Sequence, residues 1–184
     1  MSILKVDTIN EKTSGNGVII PGHVVQVVNS IRNTAVSTTS SSFVAITDLS
    51  VNITPKSTAN KILVEVKLNN ISVETGHVAS FRLVRDSTAI AGHSGSAGNI
   101  AHDNSAFVVG GGGGQSGSTY TGGDPRKISS GGVTFLDSPA TTSSTNYKVE
   151  FVSSSNGVAV YLNRWALNPD VGAVSSITLM EIAQ

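Results

Sequence analysis

The stretch Lys61-Ile62-Leu63-Val64-Glu65-Val66-Lys67-Leu68 alternates in character from one residue to the next. The four even positions are all aliphatic, whereas the odd positions carry Lys61, Glu65 and Lys67 beside a single apolar residue, Leu63. This period of two, built largely from β-branched residues, predicts a half-buried strand of an antiparallel sheet. Because the apolar face of such a strand must be covered, the stretch also predicts further strands packed against it.

Strand-like segments recur along the rest of the chain, at intervals of roughly 10 to 15 residues. Residues 23–28 are almost continuously apolar, which predicts a strand buried on both faces. Asp86-Ser87 and Asn156-Gly157 predict hairpin turns, and no segment has the 3.6-residue period and caps of a helix. The sequence therefore predicts an all-β fold, an antiparallel β-sandwich that is jelly-roll-like. The other predicted strands are residues 43–46, 49–53, 61–73, 78–85, 88–91, 106–109, 133–136, 147–151, 158–162 and 177–182.

The first 22 residues form a separate, extended N-terminal arm ahead of a sandwich domain at residues 23–184. Residues 3–9 and 17–20 are short apolar runs joined by a polar turn, and Pro21-Gly22 ends the second run. Two strands this short do not form a stable core by themselves. The arm is expected to pack on its own domain, on another copy or, as an anchor, on a different protein, with the last two favoured. Its predicted contact residues are Leu4, Val6, Ile9, Val18, Ile19 and Ile20.

Residues 92–123 differ from the rest of the domain because 11 of the 32 are glycine, including the run Gly110 to Gly114. Ordering a glycine run costs backbone entropy, and the run has no side chains to pack. An exposed insertion is therefore predicted. A phosphate-binding loop is not, because no lysine follows at the required place and no helix opens there.

Composition and charge exclude several classes of function. The 12 basic and 12 acidic residues are scattered singly, so no basic cluster is available to bind a nucleic acid. Cysteine is absent, which excludes disulfides, thiol catalysis and thiolate metal sites. No run approaches the ~18 apolar residues of a membrane span. The N-terminus carries an acid early and has no apolar core, so we expect synthesis in a cytoplasm without a signal peptide.

Candidate catalytic and metal-binding residues are few. His93 and His102 flank a glycine-rich segment, but nothing fixes their geometry, and two strand ends that carry histidine are the favoured interpretation. The sequence has no Gly-x-Ser-x-Gly elbow, and acids such as Glu65 and Glu150 fall on polar strand faces. We therefore expect no catalytic residues, no bound metal and no cofactor.

Two other groups of residues are candidates for contact with partners. Both faces of the final predicted strand are apolar, which indicates either a subunit interface or a central strand of the core; its residues are Ile177, Leu179, Met180 and Ile182. Tyr120, in the glycine-rich insertion, and Trp165 are candidate contacts for a glycan or a protein. Trp165 has the alternative role of capping the core.

The strand and turn patterns resemble those of a known group of viral proteins. The opening residues 4–9, a Gly-Asn-Gly spacer and residues 18–27 resemble the start of virion structural and tail-fibre proteins of tailed phages that infect marine bacteria and cyanobacteria. Residues 53–64, 81–86 and 175–182 extend the resemblance to nearly the whole chain except the insertion. It implies a homotrimeric jelly-roll domain, similar to C1q- or tumour-necrosis-factor-like heads, held on the virion by its N-terminal arm.

The expected function is therefore structural. We expect a non-enzymatic virion protein, a trimeric fibre, appendage or capsid-decoration subunit attached through its N-terminal arm. Its expected partners are copies of itself, other virion proteins such as a capsid, tail or fibre-anchoring protein, and a host surface glycan, but neither nucleic acid nor membrane. The alternative is a carbohydrate-binding, host-recognition module that uses its loops.

Overall fold

The structure, a computed structural model, describes Thr8 and residues 20–73, 77–93, 105–110, 128–166, 168 and 170–184. Within these ranges the chain forms eleven β-strands and no helix, so the all-β prediction is confirmed. The strands are β1 (Val24–Arg32), β2 (Val36–Thr38), β3 (Val44–Ile53), β4 (Lys61–Val73), β5 (Val78–Arg85), β6 (Thr88–Ile90), β7 (Phe107–Gly110), β8 (Ile128–Asp137), β9 (Thr145–Ser153), β10 (Val160–Leu162) and β11 (Ser175–Ile182).

The strands form two antiparallel sheets that pack as a sandwich. In the first, sheet A, β4 is central: β8 pairs with one edge of it, and β11 and β10 pair with the other. β1 pairs with β11, and β2 pairs with β10. In the second, sheet B, the order is β3-β9-β5, and β6 and β7 follow each other along the remaining edge of β5. The chain crosses between the sheets at most connections, as the predicted jelly roll requires.

The core lies between the sheets and is built from the residues that alternation assigned to it. The even positions of the opening stretch, Ile62 to Leu68, are at most 2% exposed. Sheet B covers them with inward side chains that are at most 1% exposed: Phe81, Leu83, Tyr147, Val149 and Phe151. Phe81 also stacks on Phe107 of β7, with 4.8 Å between the ring centroids. The strand predicted inside the glycine-rich insertion is therefore part of sheet B.

Two predicted strands, residues 43–46 and 49–53, are one strand interrupted by a bulge. The pairing of β3 with β9 shifts between Ala45 and Ser50, and Asp48 has a φ of 67°. Arg32, at the end of β1, holds this bulge by donating from Nη1 to the Thr47 carbonyl oxygen at 2.8 Å. The gap between the two apolar runs therefore marks a bulge within a strand and not a loop between strands.

The hairpin predicted at Asn156-Gly157 is wrong. A turn forms there, and Gly157 takes the positive φ of 86° that such turns use. β9 nevertheless belongs to sheet B and β10 to sheet A, so the turn carries the chain between the sheets. The other predicted hairpin, at Asp86-Ser87, is confirmed because β5 pairs with β6 on either side of it.

The first strand of the domain was also assigned the wrong environment. β1 is not buried on both faces: it lies at the edge of sheet A, and Val24, Val27 and Ile31 are 45%, 55% and 55% exposed. β11, its neighbour, is an interior strand that lies between β1 and β4. An apolar run indicates that a face needs a cover, but it does not indicate whether the same chain provides it.

The sandwich has two ends, which we call proximal and distal, and different segments of the chain lie at each. At the proximal end, where Val24 pairs with Ile182 and Ile182 with Lys61, β1 begins and the final strand ends. At the distal end, Ile128 pairs with Ser72, and Gly110 pairs with Val78. Gly110 and Ile128, the described residues on either side of residues 111–127, therefore both lie at the distal end, whereas Gly92 and His93, where the predicted insertion begins, follow β6 of sheet B.

Candidate assembly surfaces

Exposed aliphatic side chains are distributed unevenly over the domain. Among the described residues, eight large hydrophobic side chains are more than 40% exposed. Val108 lies on sheet B, Ile20 precedes β1 and Val174 precedes β11. The other five project outward from strands of sheet A: Val24, Val27, Ile31, Ile128 and Leu136.

Four apolar residues form a continuous row across the outer face of sheet A. Val27 pairs with Met180, Met180 with Leu63, and Leu63 with Leu136, so the row crosses β1, β11, β4 and β8. Residues in register across a sheet share a face. The next row toward the proximal end adds two more apolar residues. We call these six residues the apolar patch: Val24, Val27, Leu63, Leu136, Met180 and Ile182.

A polar row lies next to the apolar patch, toward the distal end. It crosses the same four strands, and in it Asn29 Nδ2 donates to Thr178 Oγ1 at 2.8 Å. β4 contributes Glu65 to this row, and Glu65 pairs with Lys67 of the next row at 3.1 Å. With Lys61 beside the patch, β4 presents side chains of both charges along the middle of the face.

On the outer face of sheet B, charged side chains pair with one another. Arg82 Nη2 pairs with Glu150 Oε2 at 2.6 Å, and Lys148 Nζ lies 3.3 Å from Glu150 Oε1. The Arg82 guanidinium also covers the Phe43 ring, 4.1 Å from its centroid. Glu150 lies on the outward side, as alternation predicted, but these neighbours leave it only 8% exposed. The two outer faces of the sandwich are therefore chemically different.

The predicted interface strand is divided between the core and the surface. Ile177 and Leu179 are 0% exposed and face sheet B, so they are core residues and are not available to a second copy. Met180 and Ile182 face outward within the apolar patch and are partly exposed. Sequence reasoning missed the rest of the patch, although Leu63, an apolar residue among the charged positions of its strand, was a signal for it.

The last three residues of the predicted N-terminal arm, 20–22, lie immediately before β1 and the start of the apolar patch. Of its predicted contact residues, Ile20 is 54% exposed, whereas Leu4, Val6, Ile9, Val18 and Ile19 lie outside the described residues. The backbone N–H of His23 donates to the Ile20 carbonyl oxygen at 3.1 Å, and Gly22 has a φ of 87°. This is a turn with proline second and glycine third, which reverses the chain immediately before β1.

The predicted contact residue Trp165 lies at the distal end. It follows β10, is partly exposed, and donates its backbone N–H to the Val171 carbonyl oxygen at 3.3 Å. Its neighbour Arg164 stacks on Tyr161, 4.7 Å from the ring centroid. The other predicted contact residue, Tyr120, lies outside the described residues.

The described residues contain no group of three or more metal-ligating side chains that could hold an ion. The backbone N–H of His93 donates to the Ser105 carbonyl oxygen, and His102 lies outside the described residues. No helix in the described ranges is long and apolar enough to cross a membrane.

The buried carboxylates are engaged by donors within the protein. Glu181 is 0% exposed and accepts hydrogen bonds from the Lys56 backbone N–H, Asn60 Nδ2 and Gln26 Nε2. Asp137 is held by Arg85 and Tyr147. Glu181 and Asp137 lie on either side of Ile62 in one inward row, so an apolar side chain separates them. This arrangement ties loops and sheets together and does not form a cleft with two acids.

Comparison with known proteins identifies no family. No protein-family model matches the chain, and no curated protein matches it. Two solved structures, described as those of infectious bursal disease virus strains Gt and Gx, match with TM-scores of 0.31 and 0.32 at 14% and 12% identity. Each match covers 98% of this chain and 43% of the viral chain. Values this low indicate neither a shared family nor a shared function.

Proposed function

We propose that this protein is a non-enzymatic structural component of a phage virion, a homotrimeric fibre, appendage or capsid-decoration subunit attached through its N-terminal arm. The observation that carries the proposal is the separation of the two ends of the sandwich. β1, which follows the predicted arm, begins at the proximal end beside the end of β11, whereas Gly110 and Ile128, on either side of residues 111–127, lie at the distal end. A subunit anchored by its arm would therefore direct its distal end away from the anchor.

The ion pairs and hydrogen bonds that the polar residues make within the sandwich agree with a structural role. The ion pairs of Arg82 with Glu150 and of Arg85 with Asp137 join neighbouring strands or opposing sheets. Glu181 of the final strand accepts hydrogen bonds from Lys56 and Asn60 of the loop between β3 and β4. Each of these charged side chains stabilises the sandwich, and the described residues bring no reactive set together in a cleft.

The experiment is to change the arm in the intact virus. Leu4, Val6 and Ile9 are replaced by serine in the full-length chain, which keeps its length, and purified particles are analysed by quantitative mass spectrometry. We expect the wild-type protein in the particles and the arm variant to be folded but absent from them. A matched control replaces Val108 with serine, which removes an exposed apolar side chain from sheet B and leaves the arm intact. Particles that lack the wild-type protein would contradict the virion role, and incorporation of the arm variant would contradict the anchor.

A second candidate function is recognition of a host surface glycan. The observation that favours it is the position of Trp165 beside the stacked Tyr161 and Arg164 at the distal end, the end we propose to face away from the anchor. Aromatic side chains and arginine supply much of the contact energy at binding surfaces. Glycan-array binding that is lost in Trp165→Ala or Tyr120→Ala would support this function. An array without signal for the wild-type oligomer would exclude it for the glycans tested.

A further inference from the structure

We propose that the outer face of sheet A, centred on the apolar patch, is the surface through which copies of this chain associate. The inference rests on the proposed function, because a homotrimeric subunit needs a surface that binds another copy. It identifies that surface by residue and assigns it to one side of the sandwich. The outer face of sheet B is less suited to this role, because Arg82 and Lys148 both pair with Glu150 there.

The distribution of apolar residues is the first argument. An exposed sheet face normally carries polar side chains, and single exposed hydrophobic residues on a surface need no explanation. Here Val27, Met180, Leu63 and Leu136 are contiguous across four strands, and the two end members are 55% and 47% exposed. Covering them stabilises an assembly by removing apolar surface from water.

The size of the face is the second argument. Four strands spaced by about 4.8 Å, each about ten residues long at roughly 3.3 Å per residue, give a face of about 600 Å² in projection. A stable interface buries about 800 Å² of accessible surface on each partner. Side-chain relief makes the accessible area larger than the projection, so a face of this extent is large enough for a stable contact with other copies.

The charges on β4 favour a second copy over a partner with a single sign of charge. Lys61, Glu65 and Lys67 lie along the middle of the face, and Lys67 is 64% exposed at its side chain. Another copy carries the same carboxylate and ammonium groups, so opposite charges can pair between copies. A strongly acidic partner would place negative charges opposite Glu65. A strongly basic partner would place positive charges opposite Lys61 and Lys67.

The test measures the oligomeric mass of the full-length protein and of two matched variants, Leu136→Lys and Val108→Lys. Both replace an outward-facing aliphatic residue of similar exposure, 47% on sheet A and 42% on sheet B. Analytical ultracentrifugation is expected to show a discrete oligomer for the wild type and for Val108→Lys. Leu136→Lys and, independently, Val27→Lys should raise the dissociation constant at least ~10-fold, because each buries an unpaired charge at the interface. Circular dichroism verifies that each variant is folded.

A second measurement needs no variant and therefore does not depend on how a substitution folds. Lysine cross-linking of a mixture of isotopically light and heavy chains should give light–heavy links at Lys61 and Lys67 but not at Lys148 on sheet B. A monomeric wild type, or links between copies through Lys148 alone, would overturn the inference. Virion incorporation is measured separately. A monomeric protein found in particles would contradict the association surface but leave the proposed virion role in place. An oligomer that is absent from particles would contradict the virion role but leave the association surface in place.

Discussion

Arg85 and Asp137 join the two sheets at the proximal end of the sandwich. Nη1 of Arg85, at the end of β5, donates to both carboxylate oxygens of Asp137, at the end of β8, at 2.8 and 2.7 Å. The Tyr147 hydroxyl of β9 donates to the same carboxylate at 2.6 Å. Asp137 is 6% exposed, so water screens these interactions weakly. One carboxylate of sheet A is thus held by two strands of sheet B.

Replacing Asp137 with asparagine should destabilise the domain by about 3 kcal/mol, because it leaves the Arg85 charge unpaired in a largely buried site. Urea unfolding monitored by circular dichroism measures the difference. The matched control is Glu65→Gln, which also removes a carboxylate from an ion pair, with Lys67, but on the outer face of sheet A, where the two side chains are 34% and 64% exposed. Its loss should cost less than about 1 kcal/mol. Equal effects of the two substitutions would show that the Arg85–Asp137 pair contributes no more than a surface ion pair.

The same junction predicts a loss of stability at high pH. Burial, followed by the hydrogen bond to Asp137, raises the pKa of Tyr147 well above its usual value. Tyr147 therefore stays protonated in the folded state at a pH where an unfolded tyrosine, with a pKa of about 10, loses its proton. The unfolded state then binds fewer protons, so the stability that this group contributes is complete below pH ~10 and is lost above it.

Tyr147→Phe provides the test, because phenylalanine cannot ionise. The variant should be less stable than the wild type by about 1 kcal/mol at pH 8, where it lacks one hydrogen bond. Above pH ~10 the difference should shrink, because only the wild type has this titration, while all other groups titrate in both proteins. Guanidinium unfolding between pH 8 and 11 measures the difference. A difference that does not change over this range would contradict the assignment.

The fold was predictable from the sequence where side-chain alternation alone decides orientation. The even positions from Ile62 to Leu68, and Phe81 and Leu83, face the core as alternation requires. Alternation does not report which strand is the neighbour, so Asn156-Gly157 indicated a hairpin although its two strands belong to different sheets. It also does not report bulges, since Asp48 interrupts β3 through a backbone conformation that the side-chain pattern does not encode.

The candidate surface was only partly predictable, because it is defined by register between strands far apart in the chain. Met180 was identified as an interface residue from its own strand, but Val27 and Leu136 lie 153 and 44 positions away and meet it through pairing across the sheet. β1 illustrates the difficulty. Its apolar run predicted burial on both faces, which is wrong, because Val24, Val27 and Ile31 are 45% to 55% exposed on its outer face.

Glu181, the carboxylate of β11, should be more sensitive to substitution than Glu65 of β4. Its oxygens accept three hydrogen bonds, from the Lys56 backbone N–H at 2.7 Å, Asn60 Nδ2 at 2.6 Å and Gln26 Nε2 at 2.5 Å. Glu181→Gln introduces an N–H₂ group among donors, which leaves buried donors unsatisfied and should cost about 2 to 3 kcal/mol. The control Glu65→Gln removes a partly exposed carboxylate on the outer face of sheet A and should change stability by less than about 1 kcal/mol. Thermal unfolding of the two variants compares them directly, and an unchanged Glu181→Gln would contradict the role of this carboxylate in holding the loop before β4.

Gly132 is required by the close approach of β8 to β4. A Cβ added to Gly132 would lie 2.0 Å from the Val66 carbonyl oxygen, a backbone atom that cannot rotate away. Gly132→Ala therefore has to displace β8 from its register with Lys67, and we expect a loss of roughly 3 kcal/mol, or about 10 °C in Tm for a domain of this size. In the control Gly172→Ala the nearest contact of the added Cβ is the Asn163 carbonyl oxygen at 4.0 Å, so this variant should unfold within ~2 °C of the wild type. If Gly132→Ala melts together with Gly172→Ala, then β8 is free to move at this position, and the row that ends at Leu136 is not held in fixed register.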